Sequence, residues 1–223
     1  MDADRIKWDE RYQGEAYFFS LGPSRFLADN LELVSSLVPG RRALDLACGE
    51  GRNSIYLARN GFEVTAVDIS GQGLERGRKR ALQLGVTVDF VQADLDEWRP
   101  RGSYHLILDF NFLMRPLIPW MLESLAPGGV VVMETILDAP GLQGNHNKEY
   151  LLQPGELERL FGAFPGRMLL LEEDGSLDAP VGRVLFQKAD KDKDKDKDKD
   201  KDKDKDKDKD KDKDKDKGGA EIG

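Results

Sequence analysis

One cysteine and two histidines leave the chain short of the side chains that most often build disulfides and metal sites. With Cys48 alone no internal disulfide can form, which fits a reducing compartment, and no spacing in the sequence reads as a metal site. No apolar run approaches the ~20 residues needed to span a bilayer. The acidic start Met1-Asp2-Ala3-Asp4 is followed by no apolar segment of a secretory signal. These absences predict a cytoplasmic protein with no membrane partner. Positive charge is also in deficit, with 34 basic against 42 acidic residues and a formal net charge of −8. An acidic body argues against a phosphate backbone as the main partner, because that affinity comes from neutralising phosphates with Lys and Arg. The expected partner is a small molecule rather than a nucleic acid.

Residues 190–217 are a strict alternation of 14 Asp and 14 Lys. Having no apolar residue, this stretch cannot form a core. In a helix its i,i+4 neighbours would always carry like charge. It is expected to be disordered, so the chain divides into a globular domain, residues 1–189, and a tail, residues 190–223. Without the repeat and the terminal Glu221, 20 basic and 27 acidic residues remain in the domain, a net charge of −7. A body of that size builds one full core.

What the sequence does have is organised around residues 43–58, ALDLACGEGRNSIYLA. The apolar run Ala43, Leu44, Leu46, Ala47 predicts a buried strand. It ends in a Gly49-Glu50-Gly51 turn, after which Asn53 or Ser54 is expected to cap a short helix closed by Gly61. Two glycines at a strand-to-helix turn let a ligand approach the backbone closely. The helix start also presents unpaired N–H groups to an anion. A phosphate loop would need Lys-Ser/Thr where Arg52-Asn53 stands, and a dinucleotide loop prefers a third glycine where Ser54 stands. Asp45, four residues before Gly49, opposes a pyrophosphate but suits an ammonium or sulfonium group. The combination points to S-adenosylmethionine.

These residues carry a resemblance. LDLACGEG resembles the first motif of class I S-adenosylmethionine-dependent methyltransferases, and CGEGRNSIYLARNGFEVTAVDIS is similar to their tellurite-resistance (TehB-like) branch. The resemblance covers roughly residues 8–188. It implies a Rossmann-like fold: a seven-stranded, mostly parallel sheet in the order 3-2-1-4-5-7-6, strand 7 antiparallel, with helices on both faces. It also implies cofactor contacts at Asp45, Ala47, Gly49, Gly51, Arg52, Asp68, Ile69, Asp94, Leu95 and Phe110. Asp45 would place the methionine ammonium, Arg52 or the adjacent amides its carboxylate, and Asp94 the adenine amino group.

Residues 5–13 read as a helix whose Trp8 and Tyr12, four apart, share a face. Packing onto the domain is the favoured reading, a lid over the cofactor the alternative. Ser24 is expected to cap a helix with Leu27, Leu31, Val34 and Val38 on its buried stripe. A second strand, residues 63–67, closes at Asp68, which suits ribose hydroxyls, while Ser70 caps the next helix. Val86, Val88, Phe90 and Val91 give a third strand, and residues 104–109 a fourth, in which His105 reads as a packed core residue. After it, Asn111-Phe112-Leu113-Met114-Arg115 lacks the proline pair of amino-methylating nucleic-acid enzymes. It resembles a family substrate segment that carries histidine where Met114 stands, so a base there is in doubt. Asn111 and Arg115 remain candidate substrate contacts. Pro127-Gly128-Gly129 leads into a fifth strand, residues 130–135. His146, in a polar loop, is a further candidate for substrate contact or catalysis, as Tyr12 is for catalysis. Pro154 opens a helix, and residues 168–171 and 181–186 read as an antiparallel hairpin. The expected activity is methyl transfer to a small soft or pre-ionised nucleophile such as a thiol, a metalloid oxyanion or a chalcogenide. The alternatives are an NAD-dependent oxidoreductase and a non-catalytic cofactor-binding regulatory protein.

Overall fold

The computed structural model describes residues 2–14, 16–144, 146–176 and 179–190. Residues 1–188 form one compact unit; apart from Asp190, the Asp-Lys repeat lies outside the described residues. The elements alternate as expected. In chain order they are α1 (Asp2–Tyr12), α2 (Arg25–Leu37), β1 (Arg42–Leu46), α3 (Arg52–Arg59), β2 (Glu63–Asp68), α4 (Gly71–Gln83), β3 (Asp89–Gln92) and β4 (Tyr104–Phe110). They continue with α5 (Leu117–Ser124), β5 (Leu125–Ile136), α6 (Glu156–Gly162), β6 (Gly166–Asp174) and β7 (Val181–Lys188). The seven strands lie in the order β3-β2-β1-β4-β5-β7-β6. Strands β1 to β5 pair in parallel, and β7 runs antiparallel to both β5 and β6.

The period of two along each central strand sorts side chains onto the two faces. Leu44, Leu46, Ile107, Val131 and Met133 join α5 and α6 in one core, through Leu117, Met121, Leu157 and Phe161. Ala43, Leu106, Leu108, Val130 and Val132 join α2 and α3 in the other, through Phe26, Leu27, Leu31, Val34 and Leu57. Asp45 falls on this second side, facing α3. Both faces of the central strands are therefore covered, which is why they read as near-continuous apolar runs.

Several local expectations shift. The α3 cap is Gly51, not Asn53 or Ser54. Those two side chains are used elsewhere: Asn53 Oδ1 accepts from the Ser24 amide and Ser54 Oγ donates to Asp45. Ser24 sits at the α2 cap without a side-chain capping bond, because its hydroxyl donates to Glu134 at 3.0 Å. Ser70 does cap α4, accepting from the Gly73 amide at 3.0 Å. The third strand begins at Asp89 rather than at Val86. The fifth begins at Leu125, its backbone already extended through Pro127-Gly128-Gly129. His105 Nδ1 accepts from the Arg42 amide at 3.1 Å, joining β1 to β4 below the core.

One buried group stands apart. Asp109, at the end of β4, is 2% exposed, and its Oδ1 has no hydrogen-bond partner. Burial, with Asp45 adding like charge, pushes its carboxyl well above the usual range. A carboxyl raised in the folded state stabilises below its unfolded pKa, and that stability is lost as pH rises through the folded value. The Asp109→Asn variant should therefore match the wild type near pH 4. It should become more stable than the wild type by about 1–3 kcal/mol in alkaline buffer. Urea unfolding at the two pH values measures this; a difference that does not grow with pH would contradict it.

Candidate active site

The crevice lies at the carboxyl ends of β1, β2 and β4, where the strand order reverses and ligands of open α/β sheets bind. Both central strands end in left-handed backbone: Ala47 has φ 50° and Asn111 φ 57°. Asparagine tolerates this conformation, but alanine holds it at a cost of about 1–2 kcal/mol. The β1 turn is sharp enough that Gly51, φ 70°, faces the Phe90 ring, which lies 2.7 Å from where a Cβ would stand.

Three carboxylates surround this turn. Asp45 is 2% exposed and accepts from Ser54 Oγ at 2.5 Å. Burial pushes its pKa up to about 7, against the pull of the Ser54 bond, with the nearby Asp68 charge adding to the rise and Arg52 opposing it. Asp68 accepts from the Gly49 amide at 2.7 Å and the Ser70 amide at 2.8 Å. Burial raises its pKa in spite of these bonds. Glu50 is spent on structure: it accepts from Arg76 Nε at 2.6 Å and from the Phe18 amide at 2.8 Å. Arg76 also donates to the carbonyls of Gly14 and Ala16. One part-buried ion pair thus straps the segment after α1 across the glycine turn.

Helix α1 packs onto the domain, the favoured reading of its sequence. Asp9 packs it onto the start of α4, accepting from Ser70 Oγ at 2.7 Å and the Gln72 amide at 3.1 Å. The same docking lays Tyr12 over the glycine turn, its hydroxyl 2.6 Å from the position a Gly49 Cβ would take. Trp8, Tyr12, Phe18 and Phe19 form a contiguous aromatic cluster. Burial and the Asp68 and Glu50 charges push the Tyr12 phenol upward.

Two cavities open on the crevice. One, of about 30 Å³, is lined by Asp45, Ala47, Gly49, Arg52, Phe110 and Asn111 and walled by Tyr12, Tyr17 and Phe19. The other, of about 180 Å³, is lined by Ile69, Gln92, Ala93 and Asp94, with Asp2 and Arg5 of α1 as its outer wall. In the first, the Arg52 guanidinium lies 4.6 Å from the Phe19 ring centre. No hydrogen bond or ion pair engages it among the described residues, and desolvation lowers its pKa.

The remaining candidates lie elsewhere. Leu95 is buried in the α5–α6 core. Arg115 donates to Glu156 at 2.6 and 2.8 Å and to the carbonyls of Glu149 and Leu151, bracing the loop before α6. His146 is exposed, with Nε2 2.9 Å from the Gln143 carbonyl oxygen. None of the three lines either cavity. Tyr17, Phe19 and Glu50, which do, were not legible as site residues. Only the adjacent aromatics Tyr17-Phe18-Phe19 outside any apolar period could have drawn attention.

Residues 43–129 match a family described as "Methyltransferase domain". The ubiquinone biosynthesis O-methyltransferase of Erwinia tasmaniensis is 29% identical over 53% of this chain and 58% of its own length. A 23S rRNA (uracil(747)-C(5))-methyltransferase of Pyrococcus horikoshii is 32% identical over 45% of this chain and 26% of its own length. A probable thiol methyltransferase of Arabidopsis thaliana is 30% identical over 56% of this chain and 59% of its own. The chain thus spans between a quarter and three fifths of the length of these relatives, one of which is named for an rRNA substrate.

Two solved structures share the fold. Magnesium protoporphyrin IX methyltransferase from Synechocystis, with bound SAH, has a TM-score of 0.66 at 14% identity, over 84% of this chain and 99% of that one. TehB from Haemophilus influenzae has a TM-score of 0.63 at 18% identity, over 82% of this chain and 66% of that one. Residues 43–129 thus match a methyltransferase domain, and the sheet that holds them is the Rossmann-like fold shared with these solved structures.

Proposed function

We propose that the chain binds S-adenosylmethionine across the two cavities and transfers its methyl group to a small, soft or pre-ionised nucleophile. One observation carries the reading: Asp45 and the unpartnered Arg52 guanidinium face the same small chamber. A carboxylate and a cation there match the ammonium and carboxylate of a methionine head group. Asp68 stands beside that chamber for the ribose, and Ile69 and Asp94 line the larger cavity, whose volume suits a purine. The smaller cavity has room for about one water molecule. The donor therefore enters only when Tyr12 and the Phe18–Phe19 strap move outward.

When bound, the cofactor would supply a methyl group on cationic sulfur, with a neutral thioether as the leaving group. The chain's residues then act by positioning and by excluding water. Tyr12 stays protonated, Asp45 is committed to the ammonium group, and the Glu50 carboxylate that also lines the chamber is held by Arg76 and the Phe18 amide. No base stands ready to take a proton, which favours an acceptor that arrives ionised or with a soft lone pair. Arg52 and Arg80 at the chamber draw an anion towards it. The TehB-like assignment belongs to this reading: it rests on the loop sequence, and a thiol methyltransferase among the relatives suits a soft acceptor.

The test is methyl transfer from radiolabelled donor to a panel of thiols, selenite, tellurite, halides, phenols and amines. Label should enter acceptors in proportion to their ionised or soft character. Efficient turnover of neutral amines, or a thermal shift given by NAD and not by S-adenosylmethionine, would refute the proposal.

A further inference from the structure

Strand β6 is the last in the sheet. One edge pairs with β7; no backbone hydrogen bond reaches the other from any described residue. A nine-residue open edge is a template for another strand unless something blunts it. Charge is the usual means, and β6 carries charge, but in a self-complementary arrangement.

The arrangement depends on a bulge. The β6–β7 register shifts between Met168 and Leu170. Before the shift Arg167 stands opposite Gln187 and Met168 opposite Phe186. After it Leu170 stands opposite Leu185, Leu171 opposite Val184 and Glu172 opposite Arg183. Residues paired across strands share a face. Met168 and Leu171 therefore lie on the side of Phe186 and Val184, and Arg167, Leu170 and Glu172 on the other. In a regular strand two residues five apart point to opposite faces. Here the extra residue brings Arg167 and Glu172 onto one face.

We infer that a second copy of this chain pairs with that edge. A two-fold axis passing between Leu169 and Leu170 sets Arg167 of each copy opposite Glu172 of the other, and Met168 opposite Leu171. Every opposed pair then shares a face, as antiparallel pairing requires. The pairing covers Leu171, which is 40% exposed, and fills the free backbone edge with ladder hydrogen bonds. It also adds two symmetric Arg–Glu contacts, and the two sheets become one. Among the described residues of its own chain Glu172 meets only Arg183, at 3.4 Å, and Arg167 donates only to Gln187, at 3.2 Å, so both charges remain available. The contact is isologous, so it closes at two copies.

The experiment is sedimentation velocity of the full chain over a hundredfold range of concentration. The wild type should move reversibly from 25.0 kDa to twice that mass. Arg167→Glu and Glu172→Arg each place like charges opposite one another, so each should raise the dissociation constant about tenfold or more. An equimolar mixture of the two variants should restore association. In the mixed pair one contact joins the two substituted side chains, their signs exchanged, and the other joins the native Arg167 and Glu172. Restoration also shows that both variants are folded. A wild type that stays monomeric throughout, variants that dimerise like the wild type, or a mixture that stays dissociated would each overturn the inference.

Discussion

Between about pH 5.5 and 7, S-adenosylmethionine should bind this protein about fifteenfold more tightly as the pH rises. In the free protein Asp45 titrates at about 7, raised first by burial. The cationic head group binds the carboxylate and not the carboxylic acid, so apparent affinity follows the ionised fraction, roughly 3% at the lower pH and half at the upper. Above about pH 7.7 the gain should flatten as an α-amino ligand group itself begins to lose its proton.

The stability consequence has the opposite sign. A carboxyl raised in the folded state withdraws stability as pH rises through its folded pKa, and a bound ammonium offsets that loss. The thermal shift given by the cofactor should therefore also grow with pH. Asp45→Asn should weaken binding by about one to two orders of magnitude, the worth of a charge-assisted hydrogen bond, and remove the slope. Isothermal titration at three pH values reads both. A wild-type affinity flat over this range, or a slope that persists in the variant, would show that Asp45 does not face the ligand's charge.

Asp45 was legible because a lone acid inside an apolar strand, four residues before a glycine turn, has few structural uses. The individual strands and the Ser70 cap were legible from local periodicity and from a turn residue at a fixed offset, whereas the strand order and the helices on both faces came from the family resemblance. What could not be read depends on pairs distant in sequence. Glu50 looks like a spacer between glycines until Arg76, on a different helix, takes its carboxylate. Asn53 and Ser54 look like caps until Ser24 and Asp45 claim their side chains. Arg115 could be placed near the end of β4, but nothing nearby announced that Glu156 would hold it. Polar side chains have several possible partners and choose among them in three dimensions, whereas apolar periodicity commits a segment to one face.

Gly51→Ala should cost this fold about 2–4 kcal/mol and lower its melting temperature by about 5–15 °C. Two separable penalties add there. The residue holds φ 70°, which costs an alanine about 1 kcal/mol. The new methyl would also stand 2.7 Å from the Phe90 ring, and the same ring edge is already packed against Gly77, where a Cβ would lie 2.8 Å away. Phe90 is buried, so the ring cannot swing into solvent. The methyl must displace it against α4. Gly85 supplies the control, with φ 67° and nothing within 4 Å of where a Cβ would stand. Gly85→Ala should therefore cost only the backbone penalty, a fall of about 2–4 °C. Adding Phe90→Leu should recover part of the loss in Gly51→Ala while destabilising the wild type. If the two glycine variants melt together, the ring does not confine the turn, and the close packing of α3, α4 and β3 beneath the site is not what fixes its shape.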